Sequence, residues 1–146
     1  MIRRIVVPVD FSDASRRAAR YALDELAPPL GAEVVLVTVL DVSDLRVAMR
    51  AGLHGFDNDD ELHAQVDQWI EEQFTKIGAT ARRDVRRGLP EREILEALTE
   101  HEADLVVMGA VGITKRIPIG SKAEYVLRHA DIPLLLLKDE SPHSST

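Results

Sequence analysis

The sequence contains no cysteine, which excludes a disulfide framework, thiolate chemistry and cysteine-type zinc sites together. Basic residues are outnumbered as well. There are 18 Lys and Arg against 25 Asp and Glu, for a formal net charge of -7 and a pI near 5.2. Because a general nucleic-acid binder needs a basic face to neutralise phosphates, this balance argues against a nucleic-acid partner, while a local basic pocket for one small anion stays open. Long hydrophobic runs are missing too. Uninterrupted apolar stretches span only a few residues, against the ~20 needed to cross a bilayer. No cationic-then-apolar leader precedes the first turn signal, so a cytoplasmic protein with no membrane partner is expected.

What is there suits one compact domain. A chain of 146 residues, 45% hydrophobic and 29% charged, buries on folding a share of its unfolded surface that reaches roughly 68–70% at this size. Runs dominated by branched apolar residues at Ile5-Val6-Val7, Val34 to Val39, Leu105 to Met108 and Leu134 to Leu137 read as strands buried on both faces, the habit of parallel sheets. Ala79 to Arg87 crowds Arg82, Arg83, Arg86 and Arg87 around Val85. A strand this polar belongs at an edge, where charge blocks unwanted pairing.

Helical spacing fills the gaps. Ser12 can cap a first helix with Ala14, Ala18, Ala22 and Leu26 in its stripe, ended by Pro28-Pro29 and Gly31. A second carries Leu62, Val66, Trp69, Ile70, Phe74 and Ile77 and closes at Gly78, with Trp69 as a core anchor. The third starts at Pro90 with Ile94, Leu95 and Leu98 inward, and the fourth at Ser121 with Ala123, Val126, Leu127 and Ala130 inward. Strand and helix alternate, and right-handed crossovers turn that alternation into a doubly wound α/β sandwich. Residues 43–60 read as irregular, and residues 139–146, rich in serine, as a flexible tail beyond a domain that spans residues 1–138.

Open parallel sheets bind ligands beyond the carboxyl ends of their strands. Two strand ends here carry more than packing residues: Asp10 follows the first strand, and Gly109-Ala110-Val111-Gly112 follows the Leu105 to Met108 strand and leads to Gly120-Ser121-Lys122. Glycines let backbone amides approach an anion, and a helix start offers free N–H groups with partial positive charge, so Gly120-Ser121 is a sound phosphate seat. Lys115, Arg116 and Lys122 add charge around it. The order Gly-Ser-Lys is the reverse of a Walker A ending, and no G-x-G-x-x-G occurs. Read without a ligand, the same residues are a tight turn at Gly109 and Gly112, an ordinary capping Ser121, and an Asp10 that caps the first helix.

From Ile2 to Lys138 the chain resembles the universal stress proteins. The residues that carry the likeness are Val7-Pro8-Val9-Asp10-Phe11-Ser12, Val37-Thr38-Val39-Leu40-Asp41, Arg87-Gly88-Leu89-Pro90, Asp104 to Gly112, Gly120-Ser121 and Ile132-Pro133 ahead of Leu134 to Lys138. The resemblance implies a three-layer sandwich of the adenine nucleotide alpha hydrolase-like kind, a five-stranded parallel sheet in the order 3-2-1-4-5, and a role in stress response. In one branch of the family it also implies bound ATP or a related adenine nucleotide, often with magnesium or manganese. Pro8 and Asp10 then match the first-strand site, where the aspartate and Val39 hold the adenine. Gly109 matches a ribose neighbour, while Gly112, Gly120, Ser121 and Lys122 match the phosphate seat. Two features depart from that branch. Ile113 to Ile119 places seven residues between the second and third glycines, two fewer than is typical there, and Thr38 stands where relatives often have histidine. The other branch keeps the fold, binds no ATP and acts through its surface.

Leu134, Leu135, Leu136 and Leu137 form the last strand, an edge in the implied order, and in such relatives that strand pairs with its symmetry mate. The resemblance therefore implies a two-fold homodimer. Other constellations point nowhere sharper. Asp57 to Glu61 suits an acidic helix start rather than a calcium loop. The five histidines show no ligand spacing. Ser12, Ser15 and Ser43 lack a nucleophile elbow. ATP hydrolysis would need a water-activating group, for which Asp41 and Glu124 are the available carboxylates.

Overall fold

The computed structural model describes residues 1–10, 12–40, 64–65, 67–69, 71–72, 81–110 and 120–138. Strands β1 (Arg4–Pro8), β2 (Glu33–Leu40), β3 (Ala81–Arg87), β4 (Leu105–Gly109) and β5 (Leu134–Leu137) form one parallel sheet in the order β3-β2-β1-β4-β5. Central β1 is paired on both sides, with Val6 level with Val35 and with Val106. The polar segment is an edge strand, as its charge requires, and so is the all-leucine β5.

Helices cover both faces, which is why the inner strands read as continuous apolar runs rather than alternating ones. On one face Ile5, Val7, Val34, Leu36 and Val107 meet Ala18, Ala19, Ala22 and Trp69. On the other, Val6, Val35, Val37 and Val106 meet Ile94, Ala97, Leu98, Ala123 and Val126. Each fully buried Val, Ile or Leu contributes about 1.5–3 kcal/mol, so the sheet is held by its middle three strands. Among the described residues no helix is long and apolar enough to cross a membrane.

The first helix runs as α1 (Asp13–Tyr21), a π-helical turn (Ala22–Leu26) and α2 (Ala27–Leu30). It does not stop at Pro28-Pro29. Those prolines occupy the opening positions of its last turn, where a missing N–H costs no hydrogen bond, after the wider π turn has taken up the mismatch. Gly31 at φ 63° then ends it in the left-handed region. Residues 64–65, 67–69 and 71–72 are helical (α3), with Trp69 in the core. Leu62, Val66, Ile70, Phe74, Ile77 and Gly78 of that expected helix lie outside the described residues, as do segments 43–60 and 139–146. Helices α4 (Pro90–Glu100) and α5 (Ser121–His129) complete the fold. Leu127 is 53% exposed rather than inward, because Ala123 and Val126 already fix the buried face and Leu127 lies ~100° around from Val126, on the far side of Ala123.

The amino ends of β1 and β4 are tied by one carboxylate. Asp104 accepts hydrogen bonds from the Arg3 and Arg4 N–H groups at 2.9 and 3.0 Å, and these bonds hold its pKa below the ordinary carboxylate value. An unfolded chain takes up that proton near pH ~3.9, so the unfolded state binds more protons in the window just below it. The stabilisation is therefore present above that pH and is lost as pH falls through the lowered native value. Thermal melts of Asp104→Asn should lie below those of the parent above about pH 5 and converge with them in stronger acid. Parallel curves at every pH would refute this tie.

Candidate functional site

At the carboxyl rim the chain leaves β1 and β4 toward opposite faces, and the crevice between these departures is a cavity of about 370 Å³, within the range of small-molecule sites. Of the residues expected at a binding site, Pro8, Asp10, Val39, Gly109, Gly120, Ser121 and Lys122 all line this cavity. Gly112, Lys115 and Arg116 lie outside the described residues. Leu134 to Leu137 sit apart from it, on the sheet edge. Sequence reading overlooked Val37, Ile94 and Ser15 as lining residues. Val37 was legible from its two-residue spacing to Val39 on one face of β2, and Ser15 from its three-residue spacing to the cap.

Asp10 belongs to a turn between β1 and α1. The Ser12 N–H donates to Asp10 Oδ1 at 2.8 Å, and Ser12 Oγ, not Asp10, caps the helix by accepting from the Ser15 N–H at 3.2 Å. Asp10 Oδ2 accepts no hydrogen bond among the described residues and the side chain is only partly buried, so one acceptor oxygen remains for a ligand donor.

Across the cavity stands the start of α5. Its N-cap is Gly120, with extended backbone and no side-chain cap, so Ser121 is the first helical residue rather than the cap. The first intrahelical bond is from the Glu124 N–H to Gly120 O at 2.9 Å. The N–H groups of Ser121, Lys122 and Ala123 therefore have no acceptor among the described residues and present the positive end of the helix dipole. Lys122 adds a full charge beside them. Between the two polar ends Val9, Val37, Val39, Ile94 and Met108 form apolar walls.

Among the described residues no three His, Asp or Glu side chains converge as a metal site, and Asp10 is the one carboxylate on the cavity lining. This donor set does not fit a protein-held magnesium or manganese ion. Glu124 is turned to Arg128 at 2.7 Å and does not line the cavity; Asp41 lies outside the described residues.

The chain matches the universal stress protein family over residues 1–138. It is 34% identical to a universal stress protein of Methanocaldococcus jannaschii, over 94% of this chain and 83% of that protein. The chain belongs to the universal stress protein family. Its fold is also that of a solved universal stress protein in complex with cAMP, at 22% identity, TM-score 0.65 and coverage of 94% of this chain and 97% of the other. A family member from Arabidopsis thaliana with AMP bound is similar at 14% identity, TM-score 0.66 and coverage of 97% and 94%.

In this universal stress protein Gly109 does more than border the cavity. A Cβ there would collide with the Ala14 carbonyl oxygen, so the space left by the missing side chain is already filled by the first turn of α1. Gly109→Ala has to push backbone away, and overpacking of this kind costs about 1–3 kcal/mol. A drop of several degrees in melting temperature is expected, with or without ligand. An unchanged melt would refute the close packing.

Proposed function

We propose that this universal stress protein is a regulatory module of the stress response that binds ATP or a related adenine nucleotide in the cavity at its carboxyl rim, and that it acts in the cytoplasm as a homodimer. The observation that carries the reading is the polarity of the cavity. A carboxylate oxygen that no described residue engages stands at one end, three helix-terminal N–H groups and Lys122 at the other, and apolar walls lie between. Such a lining complements a flat base with an exocyclic amino group, joined through a sugar to phosphate. The complexes of relatives with cAMP and AMP support an adenine ligand, and family membership supports the stress role. Asp10 then accepts from the base and the α5 amides take the phosphate. Any divalent ion is held through phosphate oxygens, not through a protein cage.

Asp10→Asn tests the base end. An amide keeps an acceptor for the Ser12 N–H but replaces the free acceptor with a donor. Hydrogen bonds to charged groups are worth about 1.5–3 kcal/mol, so calorimetric titration should show AMP and ATP affinity falling at least about tenfold, with a much smaller change in melting temperature. If the parent protein neither retains an adenine nucleotide on purification nor shifts its melt with ATP, the reading fails and the surface-acting, ligand-free alternative takes its place.

The homodimer is proposed through β5. Its four leucines are all only partly buried on an open edge, and Leu127, also exposed, lies on α5, the helix that leads into that strand. A second copy is the natural cover for an apolar edge. Light scattering of a Leu135→Lys, Leu137→Lys variant should report the monomer mass where the parent reports twice that. An undiminished dimer overturns this interface.

A further inference from the structure

Ser15 is the buried polar side chain on the cavity lining, 7% exposed, and the binding reading leaves it without a task. A helical serine usually returns its hydroxyl to a carbonyl one turn back. Ser15 instead reaches beyond the cap to Asp10, five residues earlier. Its Oγ donates to Asp10 O at 2.8 Å, with Ser12 O as a second acceptor at 3.1 Å, and accepts from the Asp10 N–H at 3.1 Å. The peptide groups on both sides of the Asp10 Cα are thereby pinned by one hydroxyl. The carboxylate is then fixed through Oδ1 by the Ser12 N–H, while Oδ2 accepts no hydrogen bond among the described residues.

We infer that Ser15 is a positioning residue: by clamping the Asp10 backbone it aims the free carboxylate oxygen, and so sets the preference of the cavity for a base with an exocyclic amino group over one with a carbonyl in that place. The inference rests on the nucleotide reading above. A clamp matters here because Asp10 sits in a turn, where an unheld carboxylate samples several directions and makes its bond at a cost in ordering. The apolar walls and the α5 amides do not depend on it.

AMP and inosine monophosphate differ in this group, an amino donor against a carbonyl, and in the proton that the carbonyl form carries on N1, and they provide the test. In the parent protein AMP should bind the tighter. Ser15→Ala should weaken AMP about tenfold, the scale of one lost charge-assisted hydrogen bond, and leave inosine monophosphate within about twofold, so that the preference collapses. Ser15→Cys keeps the volume with a poor hydrogen-bonding group and should collapse the preference in the same way, which guards against an effect of the small void alone. A merely structural role would weaken both nucleotides in proportion. A preserved ratio in both folded variants overturns the inference, as does a parent protein that binds the two nucleotides equally. A parent that binds neither overturns the nucleotide reading and this inference with it.

Discussion

The contact on which the site depends is the approach of the Ala14 carbonyl to Gly109, too close to admit even a methyl group. It sets the first turn of α1 directly on the last residue of β4. The β1-to-α1 turn, with Asp10, Ser12 and Ser15, is thereby brought against the strand that leads toward Gly120. Two stretches about a hundred positions apart in the sequence become walls of one crevice. The sheet below supplies rigidity, since its middle strands are buried on both faces and interiors of this density yield little.

The arginines illustrate how charge is spent elsewhere. Four of them crowd the edge strand β3, and the structure commits three to carboxylates: Arg82 to Glu33 at 2.9 Å, Arg83 to Glu71, and Arg86 to Asp84 at 2.9 Å and to Glu100. Burial acts to lower the pKa of Arg86, but its bonds to Glu100 and Asp84 outweigh that and raise it. Asp84 is also bonded to His101 Nε2 at 2.7 Å. The more exposed of these pairs, such as Arg82 with Glu33, add little stability each. Together the pairs tie the edge strand to its neighbours, Arg82 to β2, Arg83 to α3 and Arg86 to α4, and its charges discourage further pairing. Among the described lining residues this leaves Lys122 as the cation at the cavity.

The sheet order, the two edge strands and most of the core were legible because parallel strands announce themselves by unbroken branched apolar runs and because the family likeness spans nearly the whole chain. Leu127 was misread because helical spacing marks a broad stripe, and only packing decides where its border falls. The end of the first helix was legible from Pro28-Pro29 with Gly31, since Gly31 closes it right after Leu30; the π turn ahead of the prolines was not. The candidate site residues came from motifs, while Ile94 and Val37, which line the cavity by position alone, belong to none. The clamp of Ser15 on Asp10 escaped for another reason. Spacing says that two serines share a helix start, but not which carbonyl the second hydroxyl will choose.

Thr38 shows what distinguishes a site residue from a neighbour of one. Its hydroxyl is buried without a hydrogen-bond partner among the described residues, a condition that ordinarily signals a waiting ligand. It alternates, however, with Val37 and Val39, and those two line the cavity, so the pleat turns Thr38 to the opposite face of β2. The hydroxyl, unmet among the described residues, thus lies on the opposite face of β2 and is not a contact offered to the cavity. The cavity acts instead through groups whose partners are partly satisfied by the fold and partly left open: a carboxylate with one oxygen held and one free, and a helix end whose amides are aligned by the turns behind them. In both cases the fold has already met the ordering cost, and preorganisation of this kind is what a small cleft in an acidic protein needs if it is to select an anionic ligand.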